Sequence, residues 1–567
     1  MTVDVASLVS DNLDIWTTAV ERKSGAGRGS GKRVSLYGID RLRALILDLA
    51  VRGKLVPQDA NDEPAQKVLG RICLSNPRDL PSPRFEIPTS WCWVKFGQIA
   101  KFKPGRTPSR KDSRYWGGKH PWVSIADMED GATLTNTAET VSDLASEAVF
   151  RGSLSPAGSI LMSFKLTIGK ISRLAMPAYH NEAIITVTPS IQQLDPYLFR
   201  FLPICARTGA SRNAIKGATL NSASISEIAI PLPPLAEQQR IVAKVDELIA
   251  LCDALDAESE AAMSAHQALV EALLATLTAS TDAADLTTNW TRLEAHFDTL
   301  FTTESSVDAL KQAVLELAVQ GQLSAQETRD EPASELLKRI KVEKAQLIKE
   351  GKIKRDKPLP PIKDAEKSFS LPNGWVWSQP DEFSIKITDG EHFRPVTTLS
   401  GVYFLSAKDI RETGVSLAEP LFVSQEIADK ARSRCDPEFG DLLIVSRGAT
   451  CGRICKVDIE EVFCLLGSVI LLKPSSLVNN HYLEIALKSP RIFEALISAS
   501  GATAQGAIYL RDLKKIGIPL PPIAEQQRIV TKVDELIALC DALKAGISDV
   551  ANTQKHLADV VLEQAAA

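Results

Sequence analysis

The chain has 567 residues, 44% of them hydrophobic and 24% charged, and a formal net charge of −5, ordinary values for a soluble protein of three or four domains. No apolar run reaches the roughly 18–20 residues of a membrane span, and the N-terminus lacks a secretory signal, so a cytoplasmic location is expected. Nine cysteines are scattered without a C-x-x-C pair, and Cys451 and Cys455 have no second pair nearby, so no metal site is predicted.

The first 36 residues form a predicted N-terminal extension or linker. Within it, GAGRGSGKR (25–33) partly resembles a phosphate-binding loop. Ala26 stands where that motif requires glycine, and Arg33 replaces serine or threonine. The string is therefore interpreted as a flexible basic linker.

From about residue 37 onward, one module is used twice. The stretch 230–255 is identical to 518–543 at 24 of 26 positions. The segments 94–229 and 378–517, which precede these stretches, show little similarity to each other. Two long repeats do not fit a solenoid, which needs more and shorter ones. Shared ends around divergent middles predict a common scaffold that holds two different recognition segments.

Each repeat opens with a short amphipathic helix, predicted at 39–52 and 307–320. Both helices end at a glycine, Gly53 or Gly321, the position expected of a C-cap. Their apolar faces consist of Leu42, Leu45, Ile46 and Leu49 in the first helix and Leu310, Ala313, Val314 and Leu317 in the second. These faces are expected to pack beside longer helices or a partner.

The first divergent middle begins with a loop, 101–119, that has seven basic residues and one aspartate. Basic residues on a Gly/Pro/Ser-rich loop with aromatic neighbours are typical of an element that contacts phosphates and bases, although a solvated charged loop is the plain alternative. PWVSIADM (121–128) is predicted to be a strand that leaves this loop. SFKLTIGK (163–170) is predicted to be a second loop with basic residues.

A long helix of some 40 residues is predicted after the proline pair 233–234 in the first repeat, and an equivalent helix in the second. Glu237 falls in the first turn, where a carboxylate suits the helix dipole. Apolar residues then recur at alternating spacings of four and three, which is a heptad seam. The seam residues are Ile241, Val245, Leu248, Cys252, Leu255, Ala262, His266, Leu269 and Leu273 in the first helix, and Ile529, Val533, Leu536, Cys540, Leu543, Ile547, Val550, Gln554, Leu557 and Val561 in the second.

Near-identical seams within one chain predict an antiparallel helix pair related by a pseudo-twofold axis. A generic dimerising coiled coil is the alternative, but the chain already supplies both helices of the pair. The spacer-helix residues assigned on this basis are Ile241, Val245, Leu248, Leu255, Ile529, Val533, Leu536 and Leu543.

The second divergent middle contains a turn-rich segment, TDGEHFRPVTT (388–398), followed by a predicted strand, GVYFLSAKDI (401–410). A further predicted strand in 440–457 ends in Ser446-Arg447-Gly448. An arginine between a strand end and a glycine can reach a nucleic-acid groove, or it can belong to an ordinary turn.

Charge differs sharply between these segments. Residues 230–306 contain 3 basic and 13 acidic residues, a net of −10, which favours a solvated or protein-facing role. Residues 94–229 contain 16 basic and 10 acidic residues, a net of +6, whereas 378–517 contain 16 and 18, a net of −2. Phosphate contacts are therefore expected to be broader in the first divergent middle and more local in the second.

Catalytic motifs are missing. The chain has no N-P-P-[FY] or D-P-P-Y turn of an adenine methyltransferase and no H-E-x-x-H zinc motif, and its seven histidines are dispersed. No general base, catalytic residue or metal ligand is assigned.

The duplicated PLPP-[LI]-AEQQRIV-x-KVDELIALCDAL string resembles the specificity subunit of type I restriction–modification enzymes, as do GRTPSRKDSRYWGGKHPWVSIADM (105–128) and DGEHFRP (389–395). The resemblance implies an α+β fold with two globular α/β target recognition domains, separated by long antiparallel coiled-coil helices in a pseudo-twofold internal repeat. The implied segments are an extension (1–36), a first conserved helical region (37–93), target recognition domain 1 (94–229), a central conserved helical region (230–377), target recognition domain 2 (378–517) and a C-terminal spacer helix (518–567).

The resemblance further implies a non-catalytic protein that recognises a bipartite, asymmetric site in double-stranded DNA, with the long helices setting the gap between its halves. Implied partners are two modification subunits that methylate adenine N6 with S-adenosylmethionine and two ATP- and Mg²⁺-dependent restriction subunits, whereas this chain binds no cofactor. The candidate DNA-binding residues are Arg106, Thr107, Ser109, Arg110, Lys111, Arg114, Tyr115, Lys119, Lys165, His392, Arg394, Arg447 and Arg511.

Two rival functions differ in class. A coiled-coil adaptor without a DNA role would show no sequence-dependent DNA binding with any partner. A fused nuclease–methyltransferase is disfavoured by the missing motifs.

Overall fold

The computed structural model describes residues 4–23, 33–73, 76, 79, 81–165, 167–210, 221–355, 358–499 and 507–566. The chain divides into two compact units. Unit 1 comprises Met1–Ala261 and Val550–Ala567, and unit 2 comprises Ala262–Asp549. Each unit combines one α/β domain with helices of the repeated frame, so the predicted mixed α+β class is confirmed.

Unit 1 follows the first repeat. Its elements in chain order are α1 (Val5–Asp11), α2 (Leu13–Thr18), β1 (Val20–Lys23), β2 (Arg33–Leu36), α3 (Tyr37–Val51), α4 (Ala65–Ile72), β3 (Cys92–Lys95), α5 (Phe96–Ile99), β4 (Ala100–Pro104), β5 (Trp116–Val123), β6 (Ala132–Leu134), β7 (Glu139–Val141), α6 (Asp143–Ala145), β8 (Ile160–Ser163), β9 (Ile171–Leu174), β10 (Tyr179–His180), β11 (Ile184–Pro189), α7 (Asp195–Ala210), α8 (Ser222–Ser226), β12 (Ala229–Leu232) and α9 (Leu235–Thr278), which ends in unit 2.

The α/β domain of unit 1, called domain 1 here, contains two sheets. Five strands have the order β4-β11-β8-β9-β6, and three strands have the order β10-β5-β7. β8 and the first four residues of β11 are buried throughout, as expected of short continuous apolar runs such as ILMS (160–163). Leu161 and Ile184 pack with Val123 and Leu134 in one core, which joins the two sheets.

Unit 2 follows the second repeat. Its further elements are α10 (Ala283–Glu294), α11 (Phe297–Leu300), α12 (Glu304–Val319), α13 (Ala333–Lys349), β13 (Val376–Ser378), α14 (Pro380–Phe383), β14 (Ser384–Asp389), β15 (Val402–Leu405), β16 (Ile410–Arg411), β17 (Gly414–Val415), β18 (Leu421–Val423), α15 (Gln425–Arg434), β19 (Leu442–Val445), β20 (Ile454–Lys456), β21 (Phe463–Leu465), β22 (Val469–Pro474), α16 (Asn480–Lys488), α17 (Pro490–Ala499), α18 (Leu510–Leu513), β23 (Ile518–Leu520) and α19 (Ile523–Ala566), whose last part belongs to unit 1.

The α/β domain of unit 2, called domain 2, repeats the strand order of domain 1, apart from β6, despite the little similarity of their sequences. β14-β22-β19-β20 correspond to β4-β11-β8-β9, and β21-β15-β18 correspond to β10-β5-β7. The pairing directions agree as well, since β15 is parallel to β21 and antiparallel to β18, as β5 is to β10 and β7. The divergent middles are therefore two versions of one topology. Buried strands require apolar residues in the right places, and that requirement does not fix individual side chains.

The short helices α3 and α12 end where the sequence predicted. Gly53 and Gly321 follow them with φ of 69° and 71°, a left-handed conformation that favours glycine. Space imposes the same choice, because a Cβ atom would lie 2.5 Å from Pro88 at Gly53 and 2.6 Å from Pro372 at Gly321. The eight apolar residues predicted to form the inner faces of these two helices are all buried.

The long helices α9 and α19 are each 44 residues long, or about 66 Å at 1.5 Å per residue. Unit 2 contains the C-terminal part of α9 and the N-terminal part of α19. There, Val270, Leu274 and Leu277 of α9 lie in one core with Cys540 of α19. The C-terminal end of α9 thus lies in one core with the middle of α19, so the two long helices pack together.

The predicted seam holds in the first half of each helix and only in part in the second, where the half-buried members are His266, Leu273, Ile547, Gln554 and Val561. Ile241, Val245, Leu248, Ile529 and Val533 are buried, and Leu255, Leu536 and Leu543 are half-buried. Ala262 and Leu269 of α9 and Val550 and Leu557 of α19 are exposed, so their assignment to the seam was wrong. Val270 and Ala558 are buried instead. A straight helix drifts about 20° per heptad relative to a strict heptad repeat, so over four heptads the inner face moves to the next residue.

Candidate nucleic-acid interface

Three loops of domain 1 meet at one edge of its sheets, where β4, β5, β8 and β10 have their carboxyl ends. The backbone N–H of Arg106 donates to the carbonyl of His180 at 2.8 Å, and that of Phe164 donates to the carbonyl of Ala183 at 2.9 Å. The edge, called edge 1, consists of the β4–β5 loop (105–115), the β8–β9 hairpin (164–170, without residue 166) and the β10–β11 connection (181–183).

Domain 2 builds the same edge with other residues. Glu391 N–H donates to the carbonyl of Leu465 at 2.8 Å, and Ser446 N–H donates to the carbonyl of Ser468 at 2.8 Å. Edge 2 consists of the β14–β15 loop (390–401), the β19–β20 hairpin (446–453) and the β21–β22 connection (466–468). Lys165 and Arg447, both singled out from the sequence, occupy matching positions one residue after these hairpin donors.

A glycine begins the first loop of each edge because the backbone there is crowded. A Cβ atom at Gly105 would lie closer than 3.0 Å to the carbonyl oxygens of His180 and Asn181. One at Gly390 would lie closer than 3.0 Å to the carbonyl of Leu465. The first loop is therefore held directly against the connection between the last two strands.

The two domains also share a serine–aspartate turn directly after β5 and after β15, which was not predicted from the sequence. The Asp127 carboxylate accepts hydrogen bonds from the backbone N–H and hydroxyl of Ser124, at 2.8 and 2.6 Å. Asp409 accepts the same two bonds from Ser406, at 2.8 and 3.1 Å. The signal was present as Ser-x-x-Asp after a strand in both halves, but without the strand register the two strings could not be matched.

Two tryptophans fix the β4–β5 loop. Trp122 Nε1–H donates to the carbonyl of Arg106 and Trp116 Nε1–H to the carbonyl of Ser109, both at 3.1 Å. The Arg110 guanidinium lies 3.9 Å from the Trp116 ring centroid and pairs with Glu139, whose carboxyl pKa it lowers by hydrogen bonding. Arg110, predicted to contact DNA, is thus also an internal support of the loop.

The remaining predicted cations of domain 1 are partly paired with local carboxylates. Arg114 binds Asp112 at 2.8 Å and lowers the pKa of that carboxyl through the hydrogen bond. Lys119 binds Asp143 at 3.0 Å and lowers the pKa of that carboxyl in the same way. Of the other predicted residues of domain 1, Arg106, Ser109 and Lys111 are exposed. The Thr107 hydroxyl donates a hydrogen bond to Glu182, and Tyr115 packs in one apolar cluster with Trp122. Lys165 is half-buried beside the Phe164 ring.

In domain 2, two of the four predicted residues flank one aromatic ring. The guanidinium groups of Arg447 and Arg511 lie 6.0 and 5.2 Å from the centroid of Tyr509, which is 39% exposed. Arg394 is exposed within the β14–β15 loop. Tyr509 was not predicted, although its position two residues before Arg511 was the available signal.

His392 belongs to a small polar cluster rather than standing alone. Its Nε2 accepts a hydrogen bond from Arg434 at 3.1 Å, and Arg434 also pairs with Asp389. Arg434 comes from the last turn of α15, a helix whose place next to the loop the sequence did not indicate. The cluster joins the end of β14 to α15 beside the loop.

Neither a metal centre nor a membrane segment is found in the part of the chain that the structure describes. The described residues contain no group of three or more His, Cys, Asp or Glu side chains able to hold a metal ion. None of the described helices is long and apolar enough to cross a bilayer.

The fold and the two edges define an internally duplicated protein. One topology occurs twice on a repeated helical frame, and the loops at the same edge differ in sequence between the two copies. Solved structures that align with this chain include a crystal structure of the HsdS subunit from Thermoanaerobacter tengcongensis, with 18% identity, a TM-score of 0.36, and coverage of 85% of this chain and 98% of that one. Another comes from work described as the structural basis of complex assembly and conformational transition of the type I R-M system, with 18% identity, a TM-score of 0.44, and coverage of 85% and 99%.

The sequence comparisons give the family. The family model described as "Type I restriction modification DNA specificity domain" matches residues 88–263 and 422–553. The specificity subunits of the type I restriction enzymes EcoAI and EcoEI, both from Escherichia coli, are 35% and 33% identical to this chain. Each alignment covers 99% of this chain, with 100% of the first relative and 99% of the second. The chain belongs to the family of type I restriction–modification specificity subunits. It is a non-catalytic DNA specificity subunit of such a complex.

Proposed function

We propose that domains 1 and 2 each recognise one half of a bipartite, asymmetric site in double-stranded DNA, and that edges 1 and 2 face the bases. The observation that carries this proposal is the pair of matching edges: the strand order shared by the two domains brings the same three loops together twice, with different side chains. Two different sets of side chains would recognise two different base sequences, so the whole site would be asymmetric. An adaptor without a DNA role is not retained, because the family is one of DNA specificity subunits.

The residues proposed to contact DNA are the thirteen predicted from the sequence. Arginine paired with guanine is the commonest base contact, worth about 1–3 kcal/mol for a good bidentate pair. Exposed cations such as Lys111 and Arg394 are best suited to phosphates. Arg114 and Lys119 would exchange a carboxylate partner for a phosphate, and Arg110 would act partly through the loop that it supports.

These contacts are tested by alanine substitution of the six cations of domain 1 (Arg106, Arg110, Lys111, Arg114, Lys119 and Lys165), with DNA binding measured for the complex with the modification subunit. Arg110→Ala is expected to weaken binding, whereas Lys244→Ala, on the exterior of α9, is not. Unchanged binding in all six variants would rule out this choice of residues.

The same proposal assigns the catalytic work to partners. Two modification subunits would supply S-adenosylmethionine and adenine N6 methylation, and two restriction subunits would supply ATP- and Mg²⁺-dependent translocation and cleavage, so this chain would bind no cofactor. The acidic stretch 230–306, at net −10, favours a role in contacting protein rather than DNA. Mass measurement of the assembled complex tests the proposed two-plus-two stoichiometry.

The two long helices are proposed to set the number of unspecified base pairs between the half-sites. Each is one continuous helix with a heptad seam in its first half, a form suited to a fixed length. Removing one heptad from 241–273, alone or together with its counterpart in α19, should change the recognised gap. A folded deletion variant with the original gap would exclude this role.

The decisive experiment on the function is base-modification sequencing. DNA from cells that express this chain with its modification subunit is compared with DNA from cells that lack this chain. A bipartite N6-methyladenine motif that disappears with the chain is expected. A motif that persists in the cells that lack this chain would contradict the proposal, provided that the two proteins co-purify from the cells that express both.

A further inference from the structure

The β14–β15 loop of edge 2 exposes three large apolar side chains. Phe393 is 84%, Val396 79% and Leu399 101% exposed. Contact with a partner that removes such side chains from water is favourable by about 25 cal/mol per Å² of buried apolar surface. The loop itself is held in place, because Thr398 N–H donates to the carbonyl of Phe422 at 2.8 Å.

The position of this loop indicates what its partner is. It corresponds strand for strand to the β4–β5 loop of domain 1, which carries Arg106, Lys111 and Arg114. The two loops start in the same way, at a glycine pressed against the following strand connection. Matching loops of a duplicated fold would face the same kind of ligand. Here their side chains differ, since the loop of domain 1 presents cations and the loop of domain 2 presents large apolar side chains as well.

Duplex DNA offers one apolar group at its base edges, the C5-methyl group of thymine in the major groove. Phenylalanine and aliphatic side chains contact this group, and it distinguishes A·T from the other base pairs. Charge in this part of domain 2 is compatible with DNA, since Arg394 in the loop and Arg447 and Arg511 at the Tyr509 ring are exposed. They would hold the phosphates while the apolar side chains face the bases.

We propose that the loop 390–401 recognises thymine, through contact of Phe393, Val396 and Leu399 with C5-methyl groups in the half-site of domain 2. This inference rests on the proposed function and adds the chemistry of one half-site. Domain 1 recognises its half-site chiefly by charge and hydrogen bonding, and domain 2 recognises its own partly by apolar contact.

Replacement of thymine by uracil, which removes only the methyl group, tests this directly. The probe is a duplex that carries the motif found by modification sequencing, with each thymine of both half-sites replaced in turn. Binding is measured with the complex of full-length chain and modification subunit. At least one replacement, confined to one half-site, is expected to weaken binding about fourfold, the change that corresponds to about 0.8 kcal/mol for one buried methyl group.

The variants Phe393→Ala and Leu399→Ser assign the effect to the loop. Either change should make the thymine and uracil duplexes bind alike in that half-site. Phe439→Ala is the matched control, since Phe439 is 65% exposed in the same domain but precedes β19, at the opposite end of the sheet from the hairpin. The Phe439→Ala variant should keep the full difference in affinity between the thymine and uracil duplexes.

The possible failures are distinguishable. Sequence-specific binding without any uracil effect, or a uracil effect that Phe393→Ala and Leu399→Ser leave intact, overturns the thymine assignment but keeps the proposed function. Absence of sequence-specific binding overturns both. Loss of co-purification with the modification subunit in Phe393→Ala would mean that the loop contacts protein, and would also overturn the assignment.

Discussion

The close approach of Gly105 and Gly390 to backbone carbonyls predicts a large effect of the smallest possible substitution. Alanine at Gly105 would bring a methyl group closer than 3.0 Å to the carbonyl oxygens of His180 and Asn181. Backbone oxygens cannot move away by a side-chain rotation, so the β4–β5 loop must lift from the strand connection. Forced overpacking of this kind costs about 1–3 kcal/mol, and the 2.8 Å hydrogen bond from Arg106 N–H to His180 lies at the same point.

Two other glycines provide matched controls. A methyl group added at Gly70 in α4 or at Gly546 in α19 would meet no neighbouring atom within 4 Å, and neither glycine has a left-handed φ. Alanine there should stabilise the helix by about 0.5–1 kcal/mol. Urea unfolding of the full chain should therefore show a lower midpoint for Gly105→Ala and Gly390→Ala and an unchanged or higher midpoint for the controls.

The functional part of the assay uses the methylated motif. Gly105→Ala should relax or abolish recognition of one half-site and Gly390→Ala that of the other, because each displaces only its own edge. Suppose that Gly105→Ala is as stable as Gly70→Ala and leaves the motif intact. The three loops would then not be held together as described, and the reasoning from edge 1 would fail.

Three further predictions follow from single side chains. Lys111→Ala should weaken binding to all DNA sequences alike and reduce the slope of log K against log salt concentration by about 1, and an unchanged slope would place Lys111 away from the phosphates. Burial lowers the pKa of His180 from 6.5 to about 4, so its contribution to stability is complete above pH 6.5 and is lost as the pH falls to about 4. The free energy of unfolding, measured with urea, should fall by up to about 3 kcal/mol between pH 7 and pH 4 because of this group, and the His180→Gln variant should not show that decrease. Trp375→Phe removes the N–H that donates to the buried Glu525 at 2.9 Å and should cost about 1–3 kcal/mol in unfolding, whereas Trp290→Phe, at a ring 41% exposed, should cost little.

The sequence predicted the frame well because its signals are local. The glycine that ends α3 or α12 and the spacing of apolar residues along α9 each depend on neighbours within a few turns. The seam failed only where small deviations accumulate, so that Val270 is buried instead of Leu269. Periodicity identifies the inner face of a helix, but it does not keep its phase over 44 residues.

The edges could be predicted only in part, because strand pairing brings distant segments together. Lys165 was chosen as a basic residue of a predicted loop and Arg447 as an arginine between a strand end and a glycine, and their matching positions became visible only through the hydrogen bonds of the hairpins. Arg434 was missed because α15 reaches the β14–β15 loop across the domain. Pairing with Glu139 and stacking on Trp116 give Arg110 a supporting role that composition alone does not reveal.

The contrast between near-identical ends and divergent middles has a physical cause in the buried polar groups of the frame. Glu525, 1% exposed, accepts hydrogen bonds from Gln326 at 2.6 Å and from Trp375 at 2.9 Å. Burial raises the pKa of its carboxyl, and these bonds partly offset the shift. Glu237 is equally buried in the first repeat and accepts the matching bond from Gln58 at 2.6 Å.

A buried carboxylate and its donors constrain one another. Removing one member leaves a buried polar group without its partner, at a cost of about 1–3 kcal/mol or more for a charge, so a change of one of these residues alone destabilises the frame. The strands of the two domains require only apolar side chains of suitable volume, and their edge loops are largely exposed. Loop sequences can therefore diverge on an unchanged frame, which is the property that a protein needs if it recognises different DNA sequences with one architecture.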